Sequence, residues 1–352
     1  MGRTTSAGGS GTNALWSNGF RLPNVEESCR QRFRYVLELS LLMTFQSGWS
    51  GHMRLGFGLP TFGPAANEVN GIARFAADAE KLGASSLWVG DRLLTPVDPT
   101  VGYSPGSRVI PDEFRVAADP LTALAVAAAA TGEVRLGSSG INAPWYPPAL
   151  LARALAGIDV ASGGRLVAGF GSGWSPEEYQ AAGVPFEGRG ARLDELLDVL
   201  VAWWTTDPVE HRGPLFTIPP GHVGLKPVQR PHPPIYLGAF GPKALRRIGA
   251  RADGWMPVWW APEAFPAKQL TEGWATIRHA AEDAGRDPDG IGVILRVNVA
   301  AGTPVTVVAE EVMKMRSVLP ASEVFVDFTF VAGTVDHTLD LAGSLLDLVS
   351  AG

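Results

Sequence analysis

Between Arg54 and Val349, short apolar segments of strand length alternate eight times with stretches of helical periodicity. This alternation constrains the fold more than any other feature. A helix between two strands carries the chain back to the start of the next strand, so neighbouring strands run parallel. The strands read as Arg54–Leu59, Ser86–Val89, Val134–Leu136, Arg165–Phe170, Ile235–Leu237, Gly254–Val258, Ile291–Val299 and Val324–Phe328. Asn67 is placed to cap the first helix, whose apolar positions Ile72, Phe75, Ala76, Ala79 and Leu82 share one face. Asp119–Pro120 opens the second, Pro148–Ala161 forms the third, and Leu193, Leu196, Leu197, Leu200 and Trp204 stripe the fourth. Pro242–Arg251, Phe265–Ala284, Val305–Val318 and Val335–Val349 complete the set. A proline-rich excursion, Asp207–Pro234, follows the fourth helix and predicts a loop with a short hairpin around Leu215–Ile218. Eight units in succession predict an α/β chain closed into a (β/α)8 TIM barrel. An open doubly wound sheet is the alternative, but no break in composition divides the chain where its crevice would fall.

Residues 1–52 differ from the rest. They begin with Gly, Ser, Thr and Asn without periodicity and carry five Arg against three Glu. This segment predicts a disordered extension or a mis-assigned start, with one barrel domain over residues 53–352. The whole chain has 29 Lys and Arg against 35 Asp and Glu, a net charge of -6, which argues against a nucleic-acid groove built on bulk charge. No apolar run approaches the roughly 18 residues that mark a membrane span. The one cysteine, Cys29, has no internal partner for a disulfide. The expectation is a cytoplasmic protein acting on a small molecule, without nucleic acid or membrane as partner.

In a TIM barrel the active site lies at the C-terminal ends of the strands. Here those ends read Leu59-Pro60-Thr61, Gly90-Asp91-Arg92, Ser138-Ser139-Gly140-Ile141-Asn142, Gly171-Ser172-Gly173-Trp174 and Gly238-Ala239-Phe240-Gly241-Pro242. Glycine lets main-chain N–H groups approach a ligand closely, and a helix start offers unpaired donors. Gly238–Pro242, directly ahead of the fifth helix, is therefore a candidate phosphate cradle, although ordinary strand-to-helix turns are glycine-rich too. Gly169-Phe-Gly-Ser-Gly173 is not a dinucleotide fingerprint, because no helix opens at its last glycine and no acidic residue ends a strand about 20 positions later. Walker, G-x-S-x-G and H-E-x-x-H motifs are missing, and the six histidines show no metal-ligand spacing, so no metal is expected. Asp91 and Arg92 are candidate catalytic residues, the carboxylate accepting a hydrogen bond from a polar ligand and the guanidinium neutralising an anion. A structural ion pair bracing two loops is the competing reading. Glu177 and Glu178 are read as caps of a short helix after Pro176. Trp88, Trp203 and Trp204 are read as core, whereas Trp145, Trp174, Trp255, Trp259 and Trp260 sit at or beyond strand ends, where aromatic walls suit a flat heteroaromatic ligand.

Leu-Gly-Phe-Gly-Leu-Pro at 55–60, Ser-Leu-Trp-Val-Gly-Asp at 86–91 and Asn-Ala-Pro-Trp-Tyr-Pro-Pro at 142–148 resemble the bacterial luciferase-like monooxygenase superfamily. So do Gly-Gly-Arg-Leu-Val-Ala-Gly-Phe-Gly-Ser-Gly-Trp at 163–174, Pro-Pro-Ile-Tyr-Leu-Gly at 233–238 and Ala-Asp-Gly-Trp at 252–255, most closely in the actinobacterial branch that uses coenzyme F420. The resemblance implies a (β/α)8 barrel holding coenzyme F420, or alternatively FMN, across its mouth. It also implies a non-prolyl cis peptide at Ser139–Gly140, a phosphate held by Ser172–Trp174 and Phe240–Gly241, and the remaining strand-end residues Leu59, Ser138, Asn142, Gly171, Gly238 and Ala239 around the cofactor. Arg92 stands where sugar-phosphate dehydrogenases of the superfamily place a histidine, and Trp174 where they place an acid, so that substrate class is not expected. What the resemblance favours is hydride transfer between F420 and a small hydrophobic substrate. An FMN-dependent monooxygenase is the alternative and a non-catalytic flavin-binding protein the second. Homodimers, common in the superfamily, are a further expectation.

Overall fold

The computed structural model of the chain describes residues 54–104, 106–262 and 267–351. The expectations for residues 1–52, Cys29 included, lie outside these. Strands β1 (Arg54–Gly58), β2 (Ser86–Val89), β3 (Arg135–Ser138, resumed at Ile141–Asn142) and β4 (Leu166–Gly171) pair in parallel succession. They continue through β5 (Ile235–Leu237), β6 (Gly254–Trp255, resumed at Val258–Ala261), β7 (Gly292–Val299) and β8 (Glu323–Asp327). β8 then pairs with β1, Arg54 opposite Glu323 and Phe57 opposite Val326, and the sheet is closed. Helices α1 (Gly71–Leu82), α2 (Pro120–Ala130), α3 (Pro148–Ala161), α4 (Arg189–Thr205), α5 (Pro242–Arg251), α6 (Ala267–Asp283), α7 (Val305–Met315) and α8 (Val335–Ala351) follow the strands in turn. The fold is the expected (β/α)8 barrel.

Local departures have local causes. Asn67 ends a 3-10 turn, and α1 starts four residues later behind Asn70, which is left-handed at φ 57° and makes no side-chain cap. Asp119 does cap α2, accepting from Thr122 N at 2.7 Å. β6 runs past Val258 to Ala261, broken around Pro257, whose ring nitrogen has no hydrogen to give the ladder. The hairpin of the proline-rich excursion is longer than expected, Val209–Arg212 against Thr217–Gly221, and stands apart from the barrel sheet. Glu195 of α4 ties it down by accepting from the main-chain N–H groups of Leu215 and Phe216.

The barrel interior is filled rather than hollow. Trp88, Val167, Tyr236, Met256, Ile294 and Phe325 form its central cluster, and the Trp88 and Phe325 rings stack with centroids 4.7 Å apart. Rings of that size fit only because neighbouring strands present glycine: a Cβ on Gly137 would lie 2.2 Å from the Trp88 ring. At the N-terminal end, buried Glu323 is paired with Arg135 at 2.8 Å. Toward the C-terminal mouth β7 and β8 carry polar residues, and these form the floor described next. Among the described residues no helix is long and apolar enough to cross a membrane.

Candidate active site

The floor of the mouth comes from β7 and β8. Side chains alternate across a strand, so Arg296 and Asn298 share the face of Ile294, which belongs to the interior cluster. Arg296 donates to Asp327 Oδ2 at 2.7 Å and to the Ser139 carbonyl at 3.2 Å. Asn298 is fully buried, and its Nδ2 donates to the hydroxyl of Tyr103 at 3.2 Å. The sequence reading missed this row. Its signal was present: an Arg and an Asn two apart among valines in a strand otherwise fit for burial.

The walls come from long loops. Tyr103 and Phe114, in the segment between β2 and α2, meet edge to face at 5.0 Å. Trp174, Trp260 and Phe330 complete an aromatic cluster around Tyr103, with centroids 6.0, 6.0 and 6.2 Å from it. Of the five strand-end tryptophans, only Trp174 and Trp260 line the mouth. Trp145, Trp255 and Trp259 are buried, and their indoles serve the packing between strands and helices.

Asp91 and Arg92 do not pair with each other. The Asp91 carboxylate accepts from Asn142 N at 2.8 Å and from the Tyr146 hydroxyl at 3.3 Å. Burial pushes its carboxyl up to about 7, partly offset by the Asn142 N–H and reinforced by the negative Glu178. Arg92 is buried against Glu178 at 3.2 Å, donates to the Leu94 carbonyl at 3.0 Å and lies over the Trp174 ring at 4.4 Å. Arg92 thus sits in a buried ion pair with Glu178 that bridges two loops, while its Nε and Nη1 have no hydrogen-bond acceptor within the described residues. Glu177 and Glu178 both lie in the first turn of the helix Pro176–Ala181, where Glu177 accepts from its own main-chain N–H, but both also reach outside it. Glu178 accepts from Leu93 N and Leu94 N, and Glu177 from Thr100 N and Oγ1, so together they clamp the β2–α2 segment. Burial would raise Glu177, but the Thr100 and Ser175 hydrogen bonds hold it down at about 2.

Because an unfolded aspartate ionises near 3.8 and folded Asp91 near 7, the folded state binds the extra proton between those values. Stability contributed by this residue therefore falls as pH rises through that window. Asp91→Asn is expected to flatten the decline of the thermal midpoint between pH 4 and 7, and parallel pH profiles of the two proteins would refute the shift.

The other expected cofactor residues divide into two groups. Leu59 is buried, its N–H spent on the Trp88 carbonyl, and Ser138 Oγ both donates to the Gly169 carbonyl at 2.7 Å and accepts from Gly169 N at 2.9 Å. In both residues these groups hold neighbouring strands together. Asn142 orients Asp91 through both its main-chain N–H and its side-chain amide. The Ser139–Gly140 peptide is cis, at the position the resemblance implied. Gly171–Trp174 and Gly238–Gly241 leave adjacent paired strands, Phe170 opposite Leu237, and so share one rim. Gly238 N is used by the Phe170 carbonyl, and Ala239 O accepts from Trp255 Nε1. Among the described residues, no protein group accepts from the N–H groups of Ser172, Gly173, Trp174 or Gly241. Gly241 heads α5, and a Cβ built there meets nothing within 4 Å. Unspent amides beside a helix start fit the phosphate of a flavin-type cofactor. No cluster of His, Cys, Asp or Glu among the described residues could hold a metal.

Residues 40–343 match the family described as luciferase-like monooxygenase. An uncharacterized protein of Mycobacterium tuberculosis is 31% identical over 228 residues, 63% of this chain and 76% of its own. The phthiodiolone/phenolphthiodiolone dimycocerosates ketoreductase of the same species is 30% identical over 222 residues, 61% of this chain and 57% of that enzyme. A crystal structure of a monooxygenase from Streptomyces bottropensis superposes with a TM-score of 0.71 at 20% identity, covering 85% of this chain and 99% of that one. The coenzyme F420 dependent tetrahydromethanopterin reductase from Methanopyrus kandleri gives 0.62 at 19% identity, covering 83% and 98%.

Proposed function

The chain belongs to the luciferase-like monooxygenase family, and from that membership we propose that it is an oxidoreductase transferring hydride between coenzyme F420 and a small hydrophobic organic substrate. The observation that carries the reading is the rim of unspent amides at Ser172–Trp174 and Gly241 beside an aromatic mouth. An F420-dependent reductase among the structural neighbours and a mycobacterial ketoreductase among the relatives support it.

When bound, the deazaflavin supplies two-electron hydride chemistry; the protein supplies position and shelter. Ser172, Gly173, Trp174 and Gly241 would hold the phosphate. Trp174 and Trp260 keep water from the mouth, and Arg296, fixed by Asp327 and Ser139, places a partly neutralised cation beneath it. The test is titration of the purified protein with F420 and with FMN, read by quenching of tryptophan emission. Tighter F420 binding supports the proposal, tighter FMN binding with oxygen-dependent turnover replaces it with a monooxygenase, and binding of neither refutes both.

Gly173 offers a sharper probe. Its φ is +65°, and a Cβ there would sit 3.0 Å from the Tyr179 ring. Gly173→Ala is expected to cost about 1–2 kcal/mol of stability and, by reaiming the amides, to weaken the cofactor by roughly tenfold or more. An unchanged affinity would remove this loop from the phosphate site.

A further inference from the structure

We propose that the substrate is a neutral carbonyl compound with a flat apolar body, and that its oxygen docks on the hydroxyl of Tyr103; this deepens the redox reading above and rests on it.

The phenol is already half engaged, and in an informative direction. Asn298 Nδ2 donates to it at 3.2 Å, so the phenolic oxygen is an acceptor there. Among the described residues no protein group takes the Tyr103 proton, which remains for an acceptor brought from outside. Asn298 is fully buried on the inner face of β7, and its Oδ1 has no partner; neither has the buried Nε of Arg296, two residues earlier on the same face. Buried donors left unpaired cost free energy, so the Tyr103 hydroxyl and Arg296 Nε together call for an acceptor from a ligand, a role a carbonyl oxygen fills; Asn298 Oδ1, itself an acceptor, is not met by it. The apolar end is equally well provided for. Trp174, Trp260 and Phe330, each half-buried, surround Tyr103 and give the mouth an apolar aromatic wall.

Charge decides between a carbonyl and a carboxylate. Both cations near the Tyr103 ring are already paired, Arg296 with Asp327 at 2.7 Å and Arg92 with Glu178 at 3.2 Å. An anionic substrate would enter an apolar, electrically balanced site without a free counter-ion, which costs far more than burying a neutral oxygen. Burial also pushes the Tyr103 phenol up, against the pull of Arg296, so it stays protonated and a donor at neutral pH. The oxygen it holds is the one that gains negative charge when hydride reaches a carbonyl carbon, the moment at which a fixed donor is worth most.

The test needs no cofactor. The full chain is titrated by calorimetry with 2-acetylnaphthalene and with 2-ethylnaphthalene, which differ at the carbonyl, and the pair is repeated on Tyr103→Phe. The expected result is a preference for the ketone of roughly tenfold in the native protein, falling below twofold in the variant, with the hydrocarbon bound alike by both. Trp260→Ala, which leaves the hydroxyl in place, is expected to weaken both probes by similar factors. A ketone preference that survives Tyr103→Phe, or failure of the native protein to bind either probe, overturns the proposal. The cofactor titration separates the two claims: loss of F420 and FMN binding with the Tyr103-dependent preference intact sinks the redox reading alone, and the converse sinks this subsite alone.

Discussion

Glu178→Ala is expected to destabilise the protein by roughly 3–5 kcal/mol, the range for breaking a buried ion pair by removing one partner. The Glu178 side chain is 1% exposed and that of Arg92 5% exposed, so the guanidinium left behind has no water to turn to. Burial works against charge on both partners, raising the Glu178 carboxyl and lowering the Arg92 guanidinium, while their mutual attraction opposes both shifts. The substitution also strips the acceptor from Leu93 N and Leu94 N. Arg92→Met combined with Glu178→Leu removes the charge from both sides and is expected to recover the part of the loss due to the unpaired charge, though not the part due to Leu93 N and Leu94 N. Urea denaturation of the two variants checks this. A cost below about 1 kcal/mol for Glu178→Ala would mean that the pair is hydrated. Because the clamp also positions the segment bearing Tyr103 and Phe114, the single variant is expected to lose the ketone preference as well, even where it remains folded.

That clamp shows where sequence reading reaches its limit. The barrel was legible because its signal is local: each strand and helix announces itself within about a dozen residues, and parallel connection follows from their order. Closure followed from that order too, whereas the pairing of Ser172–Trp174 with Gly241 in one phosphate site came from the resemblance. The partner of Arg92 was not legible, because Glu178 lies 86 positions further on, and it is the pairing of β2 and β4 on either side of β3 that brings their loops together. Asp91 next to Arg92 in the chain invited a pairing that alternation forbids, since successive side chains of an extended segment point apart. Trp259 and Trp260 show the same rule from the other side: adjacent in β6, one is buried at 1% exposure and the other faces the mouth. The polar floor was missed for a different reason. Arg296 and Asn298 look like surface residues until eight strands close and turn one face of β7 inward.

Gly169→Ala is expected to destabilise by at least about 3 kcal/mol, at or beyond the top of the ordinary range for an overpacked core. A Cβ at this position would lie 1.8 Å from the Ser138 carbonyl oxygen and 2.5 Å from Met256 Cε. The methionine can swing away, but the carbonyl cannot, because Ser138 is held to Gly169 by reciprocal hydrogen bonds through its Oγ. Relief therefore requires β3 and β4 to separate at their C-terminal ends, where they carry Ser139, Asn142 and the Gly171–Trp174 loop. Cofactor affinity should fall with stability, by more than tenfold at temperatures where the variant is still folded. Gly241→Ala is the matched control, since its Cβ meets nothing and its φ of -75° suits any residue. It retains the main-chain N–H and is expected to stay within about 0.5 kcal/mol of the parent in stability. If Gly169→Ala lost stability but kept full affinity, the rim of amides would be independent of the strand spacing beneath it, and the cofactor would have to be held from the α5 side alone.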